Sequence, residues 1–185
     1  YSSHMSGFTS GGFNLTTSGA LNDGSGSGTY VAWNWKAGGA PTTTNSAGAG
    51  NVPTAGSVKI DGADSTTALA GTIAATSISA NTASGFSIVK WTGDDSSGAT
   101  IGHVLSQTPE LYIIKKTSAQ LDWQINLNSS VTGTEGYFNF NTFAIYTTYP
   151  NYYTSANSTV LSTNGTSTVE RQYNNQSADY IAYCF

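Results

Sequence analysis

Ten carboxylates and two histidines supply the acid–base groups of ordinary hydrolytic chemistry in this chain. General acid–base work by paired carboxylates needs two of them aimed into one cleft. The candidates are Asp94, Asp95, Glu110, Asp122, Glu135 and Glu170. Asp94 and Asp95 fall in "DDSSGA", a turn composition in which Asp serves the backbone, and no strand-like stretch shows the E-x-E or D-x-E alternation that would pair two carboxylates on one face. His103, in "TIGHVLSQTP", is the sensible base for a Ser-His-Asp arrangement, because His4 sits near the terminus; no G-x-S-x-G elbow accompanies it, so it reads as a structural or surface histidine. Cys184 and two histidines cannot close a zinc site. Asp61 and Asp64 in "KIDGADST" offer oxygen ligands for calcium, but the rest of an EF-hand is missing and the stretch reads as a hairpin turn. Glycine-rich stretches lack the Gly-Lys-Ser/Thr of a phosphate cradle. The reading assigns no catalytic residue, no metal site and no cofactor.

What stands out instead is a tyrosine cluster, Tyr146, Tyr149, Tyr152 and Tyr153, in "IYTTYPNYYTSAN". Flat rings beside amides and hydroxyls suit a glycan or a protein surface. The same residues equally suit packing between subunits.

The elements that would carry these residues are strands. Helix formers at a 3.6 period are scarce, whereas β-formers, aromatics (12%) and turn residues dominate. The fold expectation is all-β, an antiparallel β-sandwich or jelly roll, with roughly seven or eight strands after Ser57 separated by Gly, Asn, Ser and Asp turns. "GFSIVKWTG", "ELYIIKKT", "LDWQINLN", "GYFNFN" and "ADYIAYCF" are the clearest, with a break at Thr108-Pro109 where proline cannot donate to a ladder. The expected core includes Trp33, Trp35, Phe86, Ile88, Ile113, Ile181 and Tyr183. Cys184, a lone cysteine in an apolar run, is expected to be a buried small hydrophobe. With 9% charged residues, a net charge of −4 and clustered cations only at Lys115-Lys116, the chain presents no nucleic-acid footprint. No run approaches the ~20 apolar residues of a membrane-spanning helix, and no membrane insertion is expected.

The chain also repeats itself. Tyr30-Val-Ala-Trp-Asn-Trp35 matches Tyr180-Ile-Ala-Tyr-Cys-Phe185 at every position but Asn34 against Cys184. If the second is the last strand of a domain, the first is the last strand of a preceding, related one. Residues 1–35 then read as terminal strands of a preceding repeat unit, 36–56 as a Gly/Ala/Pro/Thr-rich linker or extended arm, and 57–185 as a complete β-sandwich domain. Tyr1 in place of a start methionine fits a segment cut from an array of such units.

"TYVAWNWKAGGAPTTTNSAGAGNVPTAGSVKIDG", "ALAGTIAATSISANTASGFSIVKWTG", "IGHVLSQTPELYIIKK" and "DYIAYCF" together resemble a repeated β-sandwich domain of virion structural proteins in marine tailed bacteriophages, large tail-fibre or appendage proteins. The resemblance spans nearly the whole chain and is closest from Tyr30 to Lys116. In relatives the segment at 102–109 commonly reads Gly-His-Gly-Leu-Gly-x-Thr/Ala-Pro; here Val104 and Ser106 replace the glycines, which puts the turn around His103 in question. The resemblance implies a concanavalin-like sandwich on a phage particle, extracellular when it functions, as a structural or host-attachment module. It further implies a homo-oligomer, a trimer if a fibre, in contact with other virion proteins and with a host glycan or protein.

Overall fold

A computed structural model describes residues 5–16, 28–128, 136–142, 154–163 and 173–185. The chain divides into two compact units, Tyr1–Trp35 and Lys36–Phe185. Within the described residues the structure is strand and turn with no α-helix, as the composition predicts.

In the first unit, β1 (Met5–Thr9) and β2 (Gly12–Leu15) form an antiparallel hairpin with Phe8 opposite Phe13. Residues 28–35 carry no strand, and Tyr30, Val31, Trp33 and Trp35 are exposed, Trp33 to 72% and Trp35 to 51%. The two indoles lie 6.4 Å apart. The expectation that Trp33 and Trp35 are core is therefore corrected. Alternation puts them on one side of an extended segment, but burial needs a neighbouring strand and a second layer, and none is assigned here.

The second unit holds two sheets. The larger follows the order β10-β9-β8-β13-β6-β5-β3-β4, built from β3 (Val58–Ile60), β4 (Ala63–Asp64), β5 (Ser77–Asn81), β6 (Phe86–Thr92), β8 (Leu111–Lys116), β9 (Gln124–Leu127), β10 (Gly136–Asn139) and β13 (Asp179–Cys184). The smaller joins β11 (Thr154–Ala156), β12 (Val160–Thr163) and β7 (Ala99–Gly102). All pairs are antiparallel except β3 with β5. That parallel pair requires a crossover, and its loop brings Leu69 and Ile73 into the core, with Gly71 and Ile73 bridging to Ile101 of β7. Gly71 has φ +102°, and a methyl there would strike the Thr100 carbonyl. Val58, Ile78, Val89, Trp91, Tyr112, Ile114, Tyr180 and Ala182 of the large sheet meet Ile101 and Leu161 of the small one, which is sandwich packing.

β13 is the hinge of the design: the last strand in the chain inserts between β6 and β8. Its buried face is Tyr180, Ala182 and Cys184, opposite Trp91, Val89 and Ser87 on one side and Lys116, Ile114 and Tyr112 on the other. Large and small side chains alternate across the ladder, so Ala182 and Cys184 leave room for Trp91 and Tyr112. Tyr180 stacks on Trp91 at 5.2 Å, and its hydroxyl accepts from the Asn175 N–H and donates to the Asn175 side-chain oxygen, so its polar tip is satisfied in the core.

Four expected core residues turn out to lie on the other face. Ile88, Ile113, Ile181 and Tyr183 are half-buried, while their strand neighbours Val89, Tyr112, Ile114, Tyr180 and Ala182 fill the interior. The reason is a second apolar row on the outside of the sheet. Ile88, Tyr183, Ile113, Ile125 and Phe138 stand in direct register across five strands, and Trp123 stacks over Tyr183. Phe86 is buried as expected, packed against Phe185, and Cys184 is fully buried.

Residues 36–56 form an arm fixed to the second unit rather than a free linker. Apolar burial contributes little; hydrogen bonds hold it. Asn45 is the hub: its backbone N–H donates to Thr76, its side-chain nitrogen to Ala75, and its side-chain oxygen accepts from Ala47 and Thr54. Gly38 lies flush on Ala80 of β5, where any side chain would collide with the Ala80 backbone, and its carbonyl accepts from Gly62.

Candidate functional site

Most acid–base candidates are absorbed into turns and loops. Burial raises the Asp94 carboxyl, but the Ser96 N–H and the Asn174 amide outweigh it and hold it below the usual range. Asn174, buried, returns the bond by accepting from the Asp94 N–H and also donates to the Ser96 carbonyl, closing a loop clamp. Asp61 takes both the Thr82 hydroxyl and the Thr82 N–H, which lower its pKa, and Asp64 pairs with Lys59. That is turn and surface pairing. Among the described residues no three His, Cys, Asp or Glu side chains stand close enough to share a metal ion. Glu135, Glu170 and the tyrosines Tyr146, Tyr149, Tyr152 and Tyr153 lie outside the described residues.

His103 is wholly buried, at the end of β7. Its Nδ1 accepts the Leu105 N–H at 3.3 Å, so Nε2 carries the proton and donates to the Asn157 carbonyl at 2.9 Å. Burial lowers its pKa, partly opposed by the Asn157 carbonyl. The ring is a neutral strut between the β7 end and the turn joining β11 to β12. It is seated by two residues with positive φ, Val104 at 57° and Ser106 at 59°. These are the two positions where the resembling segment carries glycine, so the left-handed turn is kept although glycine is not.

A pocket of ≈ 180 Å³ opens on the inner face of the large sheet. Ile114 and Lys116 of β8, Gln124 of β9, Leu121 and Asp122 of the preceding loop, and Tyr173 line it. The core side chains of that face end at β8; on β9 and β10 the same face carries Gln124, Asn126, Tyr137 and Asn139. Lys116 donates to the Asn175 side-chain oxygen at 3.0 Å, and Asp122 accepts from the Asn139 and Asn141 amides at 3.0 and 2.9 Å. Asn128, at the far end of the row, donates to Ala156 and ties β9 to β11. Between them, Asn126 is 2% exposed and its side-chain nitrogen has no partner, as is also true of the Asn139 side-chain oxygen. Each such atom costs about 1–3 kcal/mol when left unsatisfied.

Residues 57–185 match the model of a family described as a domain of unknown function, DUF7483. The chain belongs to the DUF7483 family. No curated protein and no solved structure matches it. The DUF7483 match begins at Ser57, at the head of β3, and ends with the final residue after β13, so it covers the sandwich without the arm that decorates it. None of the pocket residues was singled out from sequence, although "DWQINLN" and "YFNFN" alternate polar with apolar. That alternation is the signal; it reads by default as a solvated face, whereas in the DUF7483 fold the polar set points inward.

Proposed function

We propose that the chain is a structural module of a bacteriophage virion, a tail-fibre or other appendage unit that assembles into multimers and takes part in host attachment, with no catalytic step of its own. The setting on a particle rests on the resemblance of Tyr30–Lys116 to such proteins. The assembly role is carried by one observation: Tyr30–Trp35 repeats the sequence of β13, the strand flanked on both sides in the large sheet, yet no strand is assigned to it and Val31, Trp33 and Trp35 are exposed. An alternating aromatic segment of this kind supports pairing with another sheet of the same fold. Capsid decoration or an extracellular filament without receptor contact would use the same surface.

Sedimentation velocity on the full chain tests assembly. Wild type is expected as a defined oligomer, and Trp33→Ser/Trp35→Ser as a smaller species with unchanged circular dichroism. A monodisperse wild-type monomer at tens of micromolar would refute it. Labelling of the native particle in electron micrographs then tests the location, with label confined to the capsid shell counting against an appendage.

A further inference from the structure

The inner face of the large sheet changes character between β8 and β9, and a sandwich interior does not ordinarily carry polar side chains there, because they lose water on burial. Two of the polar atoms on this stretch are buried without partners: the Asn126 side-chain nitrogen, a donor, and the Asn139 side-chain oxygen, an acceptor. They stand on adjacent strands, with Asn126 opposite Tyr137 and Asn139 opposite Gln124, so one pleat separates them. Gln124 lines the pocket beside them, and Asp122, which holds Asn139 through its amide, lines it too. Ile114, Leu121 and Tyr173 supply apolar wall.

We propose that this pocket is a binding site for one neutral saccharide ring. A hydroxyl both donates and accepts, so a vicinal diol answers the Asn126 donor and the Asn139 acceptor together, while the C–H face of the ring lies on the apolar wall. The charges select against ions: Asp122 disfavours an anion, and Lys116, already joined to Asn175, disfavours a cation. The volume is below the about 300–1,000 Å³ of sites for larger ligands, which limits the occupant to a single or terminal sugar. The site is separate from Tyr30–Trp35 and does not depend on assembly.

Saturation-transfer NMR on the full chain with glucose, galactose, rhamnose and N-acetylglucosamine tests it. The expected result is millimolar binding of at least one sugar, weakened about tenfold or more in Gln124→Ala and in Asn126→Leu. Gln124 is only half-buried, so its variant is expected to fold even if Asn126→Leu does not. No transfer from any of the four sugars at tens of millimolar would overturn the proposal. So would transfer that Gln124→Ala leaves unchanged, or an Asn126→Leu variant of raised melting temperature in a chain that binds no sugar.

Discussion

His103 makes the stability of the sandwich pH-dependent in a way that the structure fixes in sign and size. The ring is neutral and buried, with Nδ1 accepting from Leu105 and Nε2–H donating to Asn157. A second proton would put a cation in the interior and turn the Leu105 acceptor into a donor, so the folded pKa lies below the ordinary value of 6.5. The unfolded chain then binds more protons than the folded one between 6.5 and the depressed value. Stability falls as pH drops through that window and is flat above about pH 7.5, with a limiting slope of about 1.4 kcal/mol per pH unit for one proton. His103→Gln removes the titration and leaves the Leu105 N–H without its acceptor, at a cost of about 1–3 kcal/mol at pH 8. Urea unfolding of wild type and variant at half-unit steps from pH 8 to 4.5 gives the difference curve, from which every other titrating group cancels. The expected difference shrinks steadily below pH 6.5. A difference that is constant over the whole range refutes the neutral-strut account.

Ser106 is exposed at φ 59°, so Ser106→Gly relieves a left-handed conformation without losing packing and is expected to stabilise by a few tenths to about 1 kcal/mol in urea denaturation; a loss would mean that the Ser106 side chain contributes more than its strain. Gly71→Ala forces a methyl against the Thr100 carbonyl in a backbone conformation that Ala avoids, and should cost about 2 kcal/mol or more in the same assay. Burial pushes the Cys184 thiol up to about 12, so the native chain should not react with a disulfide reagent at pH 8 within the time in which the urea-unfolded chain reacts fully. Tyr180→Phe leaves the Asn175 N–H without its acceptor and should cost about 1–3 kcal/mol, seen as a lower melting temperature.

The class of the fold was legible because turn residues recur between short alternating runs, and that pattern has few solutions besides packed antiparallel sheets. Which face of each strand is inside was not. Alternation states which residues share a face and is silent about which face is buried when both are apolar. In "DYIAYCF" the ranking by hydrophobicity favours Ile181, but the interior beside Trp91 and Tyr112 has space for Ala182 and Cys184 instead. Nor does a local reading place the last strand between β6 and β8, since that pairing spans most of the domain. The arm was legible as a boundary at Lys36 but not as a docked element, because Asn45 holds it by hydrogen bonds that composition does not reveal.

The same parity bears on the repeated segment. Aligned on β13, Tyr30, Ala32 and Asn34 take the places of Tyr180, Ala182 and Cys184, and Val31, Trp33 and Trp35 those of Ile181, Tyr183 and Phe185. The paired indoles thus correspond to the outer, half-buried face of the sheet, not to its core. If Tyr30–Trp35 pairs into a neighbouring unit as β13 does, Ala32 enters the interior and the indoles join an outer apolar row like that from Ile88 to Phe138. Asn34, where β13 has the fully buried Cys184, would then bring an amide into the core and require a partner there. Such a unit would therefore differ from the one seen here at the strand position facing Asn34, where Tyr112 and Ser87 now stand.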